Sequence, residues 1–156
     1  MDLTDNIDFQ YLRGIHGWSQ ASLYVNQRRY EFYLTHILND PLEAICMATV
    51  SLAKDANEAY FSWFDEPGQY NWQFTRNKSD RFLLNVTIDG FSDDRHQLGA
   101  KITFVVRRDF WIDLVTLEVD KVAQLLSYSH YKDNRYSHTF PWTELKRLRQ
   151  YRNSQN

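Results

Sequence analysis

The chain has 156 residues, a net charge of −2, one Cys, and eight Gly plus Pro set against 25 aromatic side chains. Low-complexity disorder, a collagen-like repeat and a disulfide-stapled mini-protein are excluded, because Leu, Ile, Val and Phe alone supply 41 residues for a core. Phosphate-backbone binding needs clustered positive charge, so the near-neutral balance disfavours a nucleic-acid partner.

The length favours one domain. Residues 1–18 show no clear period and read as partly loose, with Asp2, Asp5 and Asp8 making this end acidic. Ser22 to Val25 and Arg29 to Thr35 are rich in Tyr, Phe, Val and Leu. The turn residues Asn26, Gln27 and Arg28 between them predict a hairpin with Tyr30, Phe32 and Leu34 on one face. Asp40 can cap a helix, Pro41 suits its first position and Glu43 completes a capping-box spacing. Leu42, Ile45, Cys46, Thr49, Val50, Leu52 and Ala53 then follow helical spacing to about residue 55.

Residues 59–64 and 69–75 are joined by Asp65-Glu66-Pro67-Gly68, where Pro then Gly fits a type II turn. A four-residue loop pairs Phe64 with Gln69, Trp63 with Tyr70 and Phe61 with Trp72. That register places Phe61, Trp63, Tyr70, Trp72 and Phe74 on one face and Ser62, Gln69, Asn71 and Gln73 on the other. Residues 81–89 continue as a strand with Phe82, Leu84, Val86 and Ile88 inward, 90–99 read as a loop, and 101–107 alternate again. Asp109 can cap a long helix ending near Ser129, and 133–135 read as a loop. Pro141 opens a last helix with Trp142, Leu145 and Leu148 inward and Lys146, Arg147, Arg149 and Arg152 outward; residues 150–156 read as a frayed tail.

Strand pair, helix, four strands, helix, helix predicts an α+β fold with a single antiparallel sheet of about six strands. The helices at 41–55 and 109–129 would pack on its aromatic face and leave the polar face open.

No reactive constellation stands out. Five His occur without a His-Glu-x-x-His or Cys/His ligand spacing, no Gly-x-Ser-x-Gly elbow exists, and Gly14-Ile15-His16-Gly17 is too short for a phosphate loop. His130 with His138, and Asp93-Asp94 with His96, read as surface or loop groups, and no metal or cofactor is expected. Cys46 lies in an apolar run and reads as a small buried hydrophobe. The acidic start does not resemble a signal peptide and no stretch is long and apolar enough to span a membrane, so a cytoplasmic location is expected.

Residues 62–72 resemble an uncharacterised bacterial family with a W-x-x-E-P-G-x-Y-x-W hairpin, carried here by Trp63, Glu66, Pro67, Gly68, Tyr70 and Trp72. A late F-P-x-x-E-L-x-x-L segment, Phe140 to Leu148, matches as well. The resemblance implies a bacterial origin and brings no catalytic residue. In general build the chain is also similar to small α+β immunity proteins.

The expectation is a non-enzymatic protein-binding module of immunity type. It would contact its partner through Asp65 and Glu66 at the hairpin tip or through the polar face with Tyr33, Asn71, Gln73 and Asn85. A homodimer through that face or an edge strand is a further expectation. The alternatives are a small-ligand binder or enzyme with a pocket between the sheet and the long helix, and RNA binding by Tyr33, Arg81, Lys101 and Arg107.

Overall fold

The computed structural model describes residues 3–4, 6–65, 68–91, 101–135 and 140–155. Strands β1 (Ile7–Arg13), β2 (Trp18–Val25) and β3 (Arg28–Thr35) form an antiparallel meander, and α1 (Pro41–Ala53) follows. Strands β4 (Glu58–Phe64), β5 (Gln69–Arg76), β6 (Leu83–Phe91) and β7 (Ile102–Arg107) form a second meander. Helices α2 (Arg108–Leu125), α3 (Ser129–Asp133) and α4 (Trp142–Gln155) complete the described chain.

The class is α+β with antiparallel pairing, but the strands form two sheets, of three and four strands, rather than a single sheet of about six. The reason lies in the first meander. Ile7, Phe9 and Tyr11 alternate with Asp8, Gln10 and Leu12, so β1 is a regular half-buried strand inside the stretch that reads as loose. Arg13 at an inward position and Leu12 at an outward one mask that alternation in the sequence. With Ala21, Leu23, Phe32 and Leu34, β1 to β3 present a complete apolar face of their own, which is buried against the second sheet rather than extending it.

The second meander has the register that its turn dictates: Phe64 pairs with Gln69, Trp63 with Tyr70 and Phe61 with Trp72. The Asp65 amide donates to the Gly68 carbonyl at 3.1 Å and closes the loop. Trp63, Tyr70, Trp72 and Phe74 are all buried. Phe32 of the first sheet lies 5.4, 5.0 and 5.9 Å from the rings of Trp63, Tyr70 and Trp72. Trp111 of α2 reaches Trp72, Phe74, Phe104 and Phe9, with ring centres 5.4 to 6.5 Å apart. The aromatic face is therefore covered jointly by a helix and a second sheet, where helices alone were expected.

Local signals place most ends. Asp40 accepts from the Leu42 and Glu43 amides at 2.9 and 3.1 Å, with Pro41 opening α1 as its position predicts. The Trp63 indole donates to the Pro41 carbonyl at 2.8 Å and ties this helix start to β4. Gly90 continues β6 past the residue at which a loop was expected. A Cβ there would stand 2.3 Å from the Gln69 carbonyl oxygen, so only glycine admits the close approach of β5.

Other ends differ. β7 runs straight into α2, which has no side-chain cap; Asp109 sits inside the first turn and accepts from the Tyr151 hydroxyl at 2.6 Å. α2 stops at Leu125, and a short α3 precedes the expected loop. Phe82 is exposed because β6 begins one residue later. Trp142 is exposed because α4 docks through Leu145 and Leu148, one turn further on, leaving the indole at the rim against Phe140. Residues 150–155, read as a frayed tail, remain helical, and Tyr151 packs on the core and joins Asp109 and Arg108.

Two residues of α2 make a direct test of this packing. Trp111→Ala is expected to cost about 3–5 kcal/mol in urea unfolding. Leu117→Ala, exposed on the same helix, should stay within about 0.5 kcal/mol of wild type. Equal losses for the two variants would contradict the ring-centred core.

Candidate functional site

The residues singled out from the sequence divide between two surfaces and an interior. Asn71, Gln73 and Asn85 share the outer face of the four-stranded sheet, where Asn71 pairs with Asp89, Gln73 with Thr87 and Thr75 with Asn85. Much of this face is self-satisfied: Ser62 donates to the Asn71 side-chain oxygen at 2.8 Å, Gln69 donates to the same oxygen at 2.6 Å, and Asn77 donates to Asn85 at 3.1 Å. Tyr33 belongs to the other sheet, on the outer face of β3, and donates to Glu31 at 3.1 Å. That hydrogen bond and the Glu31 charge hold its phenol above the ordinary pKa.

Asp65 is turned inward, buried, and accepts from the Tyr70 hydroxyl at 2.9 Å. Glu66 lies outside the described residues, as do Asp93, Asp94, His96 and His138. Among the described residues no three His, Cys, Asp or Glu side chains are grouped to hold a metal. Of the residues that RNA binding would use, Tyr33 is on β3 of the three-stranded sheet and Arg107 ends β7 of the four-stranded sheet, while Arg81 and Lys101 precede β6 and β7.

A different feature appears at the end of the three-stranded sheet. The β1–β2 turn and the β3–α1 connection lie side by side, since Trp18 pairs with Thr35 and the His36 amide donates to the Gly17 carbonyl at 3.0 Å. Gly14 starts this turn where a Cβ would stand 2.7 Å from the Trp18 carbonyl oxygen. On these two segments Ile15, Ile37 and Leu38 are 47, 74 and 61% exposed, and Trp18, which opens β2 beside them, is 46% exposed. Short connections are ordinarily polar, and grouped exposed aliphatics mark contact surfaces. The signal was present in Gly14-Ile15-His16-Gly17 and His36-Ile37-Leu38-Asn39, as aliphatics inside turn-forming segments. Nothing local says that the two segments meet.

Two hollows of about 550 Å³ each flank Trp18. The first is a cleft along the outer edge of β1, walled by Leu12, Trp18, Tyr33, Leu125 and Tyr131. Its floor is held by charged side chains that satisfy the unpaired edge of the strand. Glu118 accepts from the Tyr11 amide at 3.2 Å, Lys121 donates to the Tyr11 carbonyl at 2.9 Å, and Arg135 donates to the Arg13 carbonyl at 2.8 Å. Side chains in place of another strand blunt an edge that would otherwise recruit one.

The second hollow contains His16, His36, Asp133 and Asn134. Behind it Ser19 Oγ lies 2.6 Å from His36 Nε2, the spacing of a nucleophile and its base. Ser19 is only 4% exposed and lines the first cleft rather than this hollow. Burial lowers the His36 pKa from its ordinary value, with Asp40 opposing and Arg13 reinforcing the shift. Arg13 itself is buried, makes no hydrogen bond through its guanidinium among the described residues, and faces Asp40 at 3.7 Å. A buried guanidinium is tolerable because an opposite charge stands beside it.

Against known proteins, neither family models, nor curated proteins, nor solved structures give a match to the chain. No described helix is long and apolar enough to cross a membrane.

Removing Asp40 strands the Arg13 charge and uncaps α1. Asp40→Ala should therefore cost about 3–5 kcal/mol, with part of the loss recovered in Arg13→Met/Asp40→Ala. A double variant no more stable than Asp40→Ala would show that the two charges are not coupled. The His36 shift has its own sign. The unfolded chain takes up the imidazole proton first, so stability is full above the ordinary value of about 6.5 and falls as pH drops below it. Urea midpoints between pH 7.5 and 5.5 should decline in wild type and decline less in His36→Gln.

Proposed function

We propose that this protein is a non-enzymatic protein-binding module whose contact surface is the apolar ridge of Ile15, Trp18, Ile37 and Leu38. The single observation that supports the reading is the exposure of these four side chains on two adjoining connections and on the first residue of β2 beside them. Their exposure costs solubility and contributes nothing to the core, whereas a partner would bury them. A Trp beside aliphatic neighbours on a rigid frame is the composition that dominates protein–protein energetics. Tyr33, one of the residues expected to meet a partner, stands on the same sheet. The outer face of the other sheet, with Asn71, Gln73 and Asn85, is the weaker candidate, because its side chains largely hydrogen-bond one another.

The partner class follows from likeness in general build and in the Trp63-to-Trp72 hairpin: a bacterial module of immunity type that occludes another protein. Such a module works by steric and electrostatic occlusion and needs no reactive group of its own.

Immobilised wild-type protein should recover a stoichiometric partner from extract of its native host. Trp18→Ala and Ile37→Asp should weaken capture by about 2 kcal/mol or more, with unchanged thermal unfolding, while Gln73→Arg leaves capture intact. Absence of any partner, binding to plain lipid vesicles instead, or loss on Gln73→Arg alone would each overturn the assignment.

A further inference from the structure

The cleft along β1 has a chemistry of its own, independent of any protein partner. Its walls are apolar and aromatic, and its volume of about 550 Å³ lies in the range of small-molecule sites. Three cationic residues line it, Arg13, Lys121 and Arg135, and among the described residues no carboxylate does; the Arg13 guanidinium is buried and faces Asp40 at 3.7 Å.

The other two are not equivalent. Lys121 is already engaged by Glu118 at 3.2 Å and by the Tyr11 carbonyl. Arg135 is held by neutral groups alone: its Nε donates to the Arg13 carbonyl, its Nη1 donates to the Tyr131 carbonyl at 3.2 Å, and its guanidinium lies 3.8 Å from the Tyr131 ring centre. Asp133 is near in sequence and lines the second hollow together with Arg135, but it does not line this cleft and forms no ion pair with Arg135. The result is a cation fixed in place by two carbonyls and a ring, with no acid paired to it among the described residues. Its remaining N–H donors are available to a bidentate acceptor.

We infer that this cleft is a binding site for a planar aromatic carboxylate, with the rings of Trp18, Tyr33 and Tyr131 around the aromatic body and Arg135 on the carboxylate. A single charge suits the site better than a phosphate, since one uncompensated guanidinium beside apolar walls cannot replace the hydration of a dianion. The frame is preorganised, because the bonds that position Arg135 also complete the edge of β1; the ligand need not order the site before it binds.

The test uses the full chain and three matched probes: naphthoate, naphthalenemethanol and naphthylmethylammonium. Naphthoate should quench tryptophan fluorescence with one-to-one stoichiometry and bind about tenfold or more tighter than the neutral probe, with the cation weakest. Arg135→Gln should abolish the preference for the anion, and Trp18→Leu should weaken the anionic and neutral probes alike. Because Arg135 also holds β1, backbone amide spectra of the wild type supply a second readout: naphthoate should shift Leu12, Gln20 and Leu125. Equal affinities for the three probes, a preference for the cation, no binding at millimolar naphthoate, or shifts confined to the four-stranded sheet would each overturn the site.

Discussion

Trp72 is the point at which the fold is joined. Its ring lies 5.9 Å from Phe32 of the three-stranded sheet, 5.2 Å from Trp63 and 6.0 Å from Phe74 of its own sheet, and 5.8 Å from Trp111 of the long helix. Two sheets and a helix thus share one aromatic layer. Large rings suit this role because each removes about 150–250 Å² from water and meets its neighbours at tilted or edge-on angles. The arrangement has a cost. The indole N–H groups of Trp72 and Trp111 are buried with no acceptor among the described residues, and the area buried by the rings must offset that loss.

Joining two sheets through side chains leaves strand edges to be dealt with. At β1 the solution is electrostatic, with Glu118, Lys121 and Arg135 supplying acceptors and donors to the strand backbone. At β7 the Thr4 amide donates to the Val105 carbonyl at 2.7 Å. On the β4 side Asn39 donates to the Ser62 carbonyl at 2.9 Å. Capping an edge by side chains rather than by a covering element leaves space beside it. The cleft between β1, the end of α2 and α3 is that space, and its cations are there because the strand edge offers carbonyl oxygens. Structural and binding roles thus converge on Arg135.

The candidate surface was only partly legible. Tyr33 could be placed on the outward face of a strand from alternation alone. Asp65 could not be placed by such reasoning, because whether a turn carboxylate faces solvent depends on what lies beneath it, here the Tyr70 hydroxyl. Arg135 is harder still. It sits in a polar stretch after a short helix and carries no local signal. Its importance comes from the Arg13 carbonyl, 122 residues away in sequence, and from the Tyr131 ring under it.

What the chain determined by itself is local and periodic. The four-residue connection at Asp65 to Gly68 sets the register of its hairpin, since a slip by one residue would turn every ring of that face to solvent. Asp40 and Pro41 start α1 because the first helical amides need an acceptor and a missing N–H is harmless there. Period two likewise marks which face of each strand is apolar. It does not say what that face meets. Whether Phe9 and Phe32 extend one sheet or lie across another depends on contacts between distant segments, and only the folded chain supplies those. For the same reason the tertiary structure alone decided that the turn after β1 and the connection after β3 lie side by side and that Arg135 reaches the edge of β1.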